Sequence, residues 1–344
     1  MKTGILLVNL GSPEAPTAAA VRPYLREFLS DPRVIDIPAP LRWLLLNAVI
    51  LPFRPAKSAA AYAKVWTPQG SPLIANSRAF TAKLAETLGD DYRVVLAMRY
   101  GNPSLASAIA ELTREPLKEL VIFPLYPQYA SASTGSSLEA ALKILAPLQN
   151  VPTLRTIPAF YKDPGFIRAL AANAAPQLAA LQPDHVLFSY HGLPERQIRK
   201  SEYAPDQADK CFQHEDGCRA HCIVENPFCY RSNCYSTTEL VAKELGLAAG
   251  TYSTAFQSRL GRTPWIRPFT DVVLTELPAR GVRKLAVFSP SFVADCLETL
   301  EEMTIRGSET FIEAGGERLE LIPALNASAP WVKAASALIK GATP

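Results

Sequence analysis

The sequence predicts an α/β protein of two similar halves, each a parallel sheet flanked by helices. Three observations carry that expectation. Short apolar runs (Ile5 to Val8, Tyr92 to Met98, Glu119 to Pro124, Val186 to Phe188 and Leu285 to Phe288) alternate with longer helix-like stretches. The runs are apolar almost throughout, as strands buried on both faces are. Helical stretches follow the runs near residues 10 and 190 alike, which suggests a repeated half, although no exact repeat is present.

The 344 residues suffice for one large or two medium domains. The expected division is a Rossmann-like half over 1–150, with 311–344 packing back on it, and a second over 151–310. With 48% hydrophobic and 19% charged residues, the composition is that of a soluble globular protein. A formal charge of +3 gives no reason to expect nucleic acid as a partner. No secretory signal is read at the start, where Met1-Lys-Thr-Gly runs straight into a strand. A cytoplasmic location is expected.

In chain order, Ile5 to Val8 reads as a strand ended by Asn9-Leu-Gly-Ser-Pro13, and Ala18 to Ser30 as a helix. Leu41 to Phe53 is the greasiest stretch, yet too short to span a bilayer. It fits either a core helix or an apolar lip closed by Pro52, Arg54 and Lys57, as an interfacial segment is. Helices are expected over Arg54 to Val65, Ser77 to Leu88, Leu105 to Thr113 and Leu138 to Leu145. The strands among them end in Arg99-Tyr100 and in the hydroxyl-rich Tyr126 to Ser137.

The residues with chemistry gather at strand ends. Asn9, Arg99-Tyr100, Tyr126 to Gln128, Ser189 to His191 and Ser289 to Phe292 all fall just beyond apolar runs. Five such clusters are expected to form the rim of one crevice, the place where open parallel sheets bind ligands. His191 would stand at its mouth, with a side chain suited to proton transfer near neutral pH. Asp295 reads as the N-cap of a helix, with Glu298 as its capping-box partner. Spacings of three and four put Asp295, Glu298 and Glu302 on one face, a ladder able to lead a cation inward or protons outward.

Cys211, Cys218, Cys222, Cys229 and Cys234 account for five of the six cysteines. They fall in an extra segment at about 203–234, with a helix expected to start at the capping box Ser236-Thr-Thr-Glu239. Without a secretory signal, disulfides are disfavoured and a metal centre is the working expectation. Four thiolates (Cys211, Cys218, Cys222 and Cys229) suit [2Fe–2S] or structural zinc, and Cys234 is set aside as belonging to the helix entrance.

Five blocks then resemble the ferrochelatases: Leu6 to Pro13, Tyr126 to Ser137, Ser189-Tyr-His-Gly-Leu-Pro194, Phe256 to Trp265 and Asp295 to Glu302. The blocks run in order over nearly the whole chain. The resemblance implies a two-halved chelatase-like fold and insertion of Fe2+ into protoporphyrin IX to give protohaem, the last step of haem biosynthesis. It implies His191 as the essential histidine, also meeting substrate iron with Glu298, and Glu298 and Glu302 as an acidic path for protons or iron. It further implies Leu10, Arg99, Tyr100, Trp265 and Phe292 as porphyrin contacts and Ser131 and Ser133 as part of a hydroxyl wall. Leu10 stands where some members have methionine, a tolerable apolar exchange. Tyr, Trp and Phe offer stacking area, and Arg99 suits a propionate. Some microbial members carry an internal [2Fe–2S] cluster, which favours the cluster over zinc. The resemblance also favours the apolar lip at 41–53, hence peripheral membrane contact, and allows a homodimer. The rival readings are a coproporphyrin or other tetrapyrrole chelatase and a non-catalytic haem or redox sensor.

Overall fold

The structure, a computed structural model, describes residues 1–202, 226–259, 261 and 263–341. It divides into two compact units, one made of residues 1–126, 131–159 and the chain from Val332, the other of 127–130 and 160–331. The expected cut near 150 therefore falls slightly early. The return to the first unit begins only at Val332, because Arg318–Leu321 is a strand that adds to the second sheet.

In the first unit, β1 (Lys2–Gly11) lies between β2 (Tyr92–Tyr100) and β3 (Leu117–Pro124), with β4 (Leu154–Thr156) beyond β3. In the second, β5 (His185–His191) lies between β6 (Tyr252–Gln257) and β7 (Lys284–Phe288), with β8 (Arg318–Leu321) outermost. Every pairing is parallel, and each sheet has the order second, first, third, fourth. The repeat suggested by the sequence is thus a repeat of topology. In both sheets the first strand has neighbours on either side, so the chain reverses its direction of travel there, the switch point at whose carboxyl end open parallel sheets bind ligands. Leu10 and His191 occupy these two ends.

The expected strand ends fall short by up to three residues. Asn9, Arg99-Tyr100 and His191 are the last rungs of ladders, since Gly11 pairs with Tyr100 and His191 with Gln257. Side chains alternate across each sheet. Leu6, Val8, Leu120 and Ile122 pack with α5 (Leu105–Leu112) and α6 (Ser136–Leu145) on one face of the first sheet. Leu187, Leu285 and Val287 do so in the second, against Leu274, Met303 and Phe311. At about 1.5–3 kcal/mol for each large side chain buried, such clusters supply most of each unit's stability.

The helices of the first unit begin with α1 (Ala18–Ser30) and α2 (Ala39–Leu44). A π-helical turn, Leu45–Ile50, then passes into α3 (Leu51–Val65), followed by α4 (Pro72–Leu88). The greasy stretch is not a core helix. Leu46 and Leu51 face inward, whereas Leu41, Trp43, Leu44, Val49 and Phe53 are exposed, Phe53 by 75%. Five exposed apolar side chains thus fall within thirteen residues. No helix among the described residues is long and apolar enough to cross a membrane.

In the second unit α7 (Pro164–Leu181) and α8 (Glu195–Lys200) precede α9 (Tyr230–Glu244), and α10 (Thr270–Glu276) follows β6. Helix α9 starts six residues before the expected capping box, so Cys229 is its N-cap residue and Cys234 lies inside it. The start is set earlier, where Asn226 Oδ1 accepts from Phe228 N at 3.0 Å and Asn226 O from Cys229 N at 3.1 Å.

A candidate active site at the strand ends

His191 closes β5 in a half-buried position. Its Nδ1 lies 2.7 Å from Gly192 O. A carbonyl only accepts, so Nδ1 is the donor, and in the neutral ring Nε2 carries the lone pair. The imidazole is thus held in the tautomer that accepts a proton at Nε2. Phe292 meets the ring edge-on, with centroids 6.4 Å apart. Gly192 is needed for close approach, because a Cβ there would lie 2.8 Å from Gln257 O and 3.3 Å from Trp265 Cε3. Half-buried Trp265 is seated by an isolated bridge to Pro194 and by Ile266 N donating to Leu193 O at 3.0 Å.

Gln257, the β6 partner of His191, links the histidine strand to the acidic helix. Its Nε2 donates to Glu298 O at 3.0 Å and lies 3.5 Å from Glu302 Oε2, while its Oε1 accepts from Ser189 Oγ at 2.8 Å. Ser258 holds the Glu302 carboxylate from both sides, its N donating to Oε1 at 3.0 Å and its Oγ to Oε2 at 2.5 Å. It does so from a left-handed backbone, φ 66°, a conformation that costs a non-glycine residue roughly 1–3 kcal/mol and persists only where contacts impose it.

The acidic helix departs from expectation. Glu298–Gly307 is π-helical, beginning after Leu297, and α11 (Ser308–Glu313) continues it. Single π turns inside helices are frequent at functional sites; here ten residues take that form. Asp295 precedes the helix and is neither its N-cap nor part of the ladder. Its carboxylate accepts from Thr299 Oγ1 at 3.0 Å, Asn326 Nδ2 at 2.7 Å and Ala324 N at 3.2 Å, fastening the helix start to the chain after β8. Buried Glu301 pairs with Arg306 at 2.8 Å, leaving Glu298 and Glu302 as the half-buried acids of this helix. Among the described residues no group of three or more His, Cys, Asp and Glu could hold a metal ion, so His191, Glu298 and Glu302 are not a preformed metal cage.

In the first unit, Arg99 is committed to an internal carboxylate. Asp31 Oδ2 accepts from Arg99 Nη2 at 2.7 Å, Tyr100 Oη at 2.9 Å and Ser136 Oγ at 2.5 Å, and Oδ1 accepts from Arg33 N at 2.7 Å. Arg99 Nε donates to Ser136 Oγ at 2.7 Å, and its guanidinium lies 4.4 Å over the Tyr100 ring. Tyr100 is fully buried, which corrects the expectation that it offers a stacking face. Arg33 reaches Ser131 Oγ at 2.8 Å and also pairs with Glu139. Leu10 and Ser133 are half-buried. Motif reading does not single out Asp31, Arg33 or Tyr230. The signal at Asp31 is its place just past α1 in Asp31-Pro32-Arg33, a turn-forming trio.

Burial would raise the pKa of Asp31, but the Ser136 hydroxyl, Arg33 N–H, Tyr100 hydroxyl and Arg99 charge together hold it below the usual carboxylate value. The stability that this shift contributes is complete above about pH 4, the unfolded value, and is lost as pH falls through the lower folded value. Asp31→Asn should therefore cost about 3 kcal/mol near pH 7, because it leaves Arg99 without its buried partner. The difference from the parent should shrink in acid, as denaturant titrations at a series of pH values will show.

Of the proposed cluster ligands, Cys211, Cys218 and Cys222 lie outside the described residues. Cys229 is buried at the start of α9, as are Cys234 within it and Cys296 before the π-helix.

His191 thus ends an inner strand of a parallel sheet, its strand partner Gln257 is hydrogen-bonded to the acidic helix, and the four-strand topology occurs twice in the chain. Comparison with known proteins says which family carries this arrangement. The Ferrochelatase family profile matches residues 2–343. "Ferrochelatase" of Legionella pneumophila (strain Lens) is 46% identical over 339 residues, 98% of this chain and 99% of the relative. That of Coxiella burnetii (strain Dugway 5J108-111) is 44% identical over 339 residues, 98% and 93% of the two chains. Among solved structures, "SirB from Bacillus subtilis with Fe3+" aligns with a TM-score of 0.50 at 8% identity, covering 100% of this chain and 96% of the other, a likeness of fold alone. The chain belongs to the ferrochelatase family.

Proposed function

We propose that this protein inserts Fe2+ into protoporphyrin IX, forming protohaem and releasing two protons, as the last step of haem biosynthesis. The observation that carries the reading is His191 with Nδ1 tied to Gly192 O and Nε2 left as an acceptor. Metallation requires a porphyrin to lose two pyrrole protons and admit a metal through one face. His191 Nε2 takes the two pyrrole protons one at a time, and Glu298 and Glu302 on the π-helix pass protons or iron. A site that binds the puckered ring better than the flat one lowers the barrier. From the family resemblance, Leu10, Ser131, Ser133, Trp265 and Phe292 are assigned as porphyrin contacts. Arg99, whose Nη2 and Nε serve Asp31 and Ser136, is assigned to a propionate on the family resemblance alone. The test is anaerobic turnover with Fe2+ and either protoporphyrin IX or coproporphyrin. Preference for protoporphyrin supports the assignment, and preference for coproporphyrin replaces it with the rival substrate.

We assign a [2Fe–2S] cluster to Cys211, Cys218, Cys222 and Cys229, with structural zinc as the alternative. Thiolates serve either centre, and the cluster would lend the segment a redox-active group. The purified protein should be reddish, with visible absorbance that dithionite bleaches. A colourless protein with one zinc per chain would decide for zinc.

The exposed Leu41, Trp43, Leu44, Val49 and Phe53 support peripheral contact of a cytoplasmic enzyme with a membrane. Aromatic and aliphatic side chains beside Arg54 and Lys57 are the composition of an interfacial segment.

A further inference from the structure

We infer that Tyr230 is a positioning residue for His191, acting with Ser291 to replace a strand that ends too soon. The inference rests on the reading of His191 as the base. In a parallel sheet, the N–H and C=O of one residue point to the same neighbouring strand, and those of the next residue point to the other side. Gly192 N donates to Gln257 O at 2.8 Å, so it faces β6. His191 N and O therefore face β7. That strand stops at Phe288, the partner of Phe188, and provides no rung at His191. A half-buried backbone pair without partners would leave the base loosely held.

Two side chains supply the missing rung. His191 N donates to Ser291 Oγ at 3.3 Å, and Tyr230 Oη donates to His191 O at 2.7 Å. Tyr230 Oη and Ser291 Oγ are 2.9 Å apart. Tyr230 has one hydroxyl proton, already given to the His191 carbonyl, so Ser291 Oγ–H must be the donor to Tyr230 Oη. The result is a closed, directional ring: His191 N–H to Ser291, Ser291 to Tyr230, Tyr230 to the His191 carbonyl. Cys234, one helical turn further along α9, also hydrogen-bonds the Tyr230 hydroxyl, which gives its one proton to His191 O and has lone pairs for both Ser291 and Cys234. Tyr230 is 6% exposed and is the first residue of α9, which keeps its hydroxyl at a fixed height above the strand end.

The ring fixes the backbone from which the imidazole projects, while the Gly192 carbonyl fixes the tautomer. Neither hydroxyl is assigned to substrate. Loss of one should thus slow proton transfer without weakening substrate binding. Misplacing a reacting group by about 1 Å can cost about a hundredfold in rate.

The experiment is anaerobic steady-state metallation by full-length Tyr230→Phe, Ser291→Ala, Ser291→Thr and the Tyr230→Phe/Ser291→Ala double variant, with Fe2+ and protoporphyrin IX. Tyr230→Phe and Ser291→Ala should each lower kcat about tenfold at unchanged KM for both substrates. The double variant should be no worse than the poorer single one, since each change opens the same ring. Ser291→Thr, which keeps a hydroxyl, should retain kcat. Should Tyr230→Phe fail to fold, Ser291→Ala against Ser291→Thr carries the same comparison. An unchanged kcat in folded Ser291→Ala, a loss confined to KM, or equal losses in Ser291→Ala and Ser291→Thr would overturn the inference. His191→Ala separates the levels: undiminished turnover there removes the base itself, whereas abolished turnover there with normal Tyr230→Phe and Ser291→Ala removes only the positioning role.

Discussion

His191→Ala should lower the rate of haem formation about a hundredfold or more while leaving the fold intact. General-base contributions span about a hundred- to ten-thousandfold, and no other described imidazole stands at this strand end. His185, at the opposite end of β5, is buried against Ser253 at 2.8 Å and its pKa is pushed down to about 4 by burial, then by the Arg280 charge, so it is a neutral structural group. The His191 ring is only half-buried, and its loss opens no cavity in the core clusters. The measured split should therefore be a collapse of kcat with porphyrin binding nearly unchanged, the latter followed by quenching of porphyrin fluorescence. A rate within about threefold of the parent would show that the base lies elsewhere.

Gly11→Ala should be the most damaging small substitution for the first unit, costing about 3 kcal/mol or more. Gly11 ends β1 at φ 118°, where a side chain is disfavoured in itself. An added Cβ would also lie 1.8 Å from Tyr100 O, a backbone atom of the neighbouring strand. The two strand ends would have to part, dragging Leu10 on one side and Arg99, Tyr100 and the Asp31 network on the other. The expected readout is a drop in thermal midpoint together with weaker porphyrin binding. Ala in place of Gly89, whose added Cβ meets nothing within 4 Å, should cost less despite its φ of 81°. Equal losses at both glycines would show that the contact with Tyr100 adds nothing.

Much of this architecture is legible in the chain. Strands buried on both faces announce themselves as continuous apolar runs, and residues at their ends, His191 among them, follow from the parallel topology. The acids Glu298 and Glu302 are visible as a pair. The form of their helix is not, because i,i+4 spacing reads alike in α and π geometry, and Asp295 mimics an N-cap while serving Thr299, Ala324 and Asn326. Long-range partners are likewise hidden. Asp31 meets Arg99 across 68 positions and Ser136 across 105, and no local pattern encodes such pairs. Tyr230 is concealed for a different reason: cysteines on either side dominate the reading of that segment and suggest a metal centre, while its hydroxyl serves His191, 39 residues earlier.

The measurement that tests the central claim most directly is a visible spectrum of the anaerobically purified protein, followed in one cuvette after addition of Fe2+ and protoporphyrin IX. Haem bands should grow as the free-porphyrin bands decline, at a rate proportional to enzyme and faster than the uncatalysed mixture. Porphyrin bands that shift on binding and then stay constant, with coproporphyrin equally inert, would contradict the account and leave a protein that binds tetrapyrroles without metallating them.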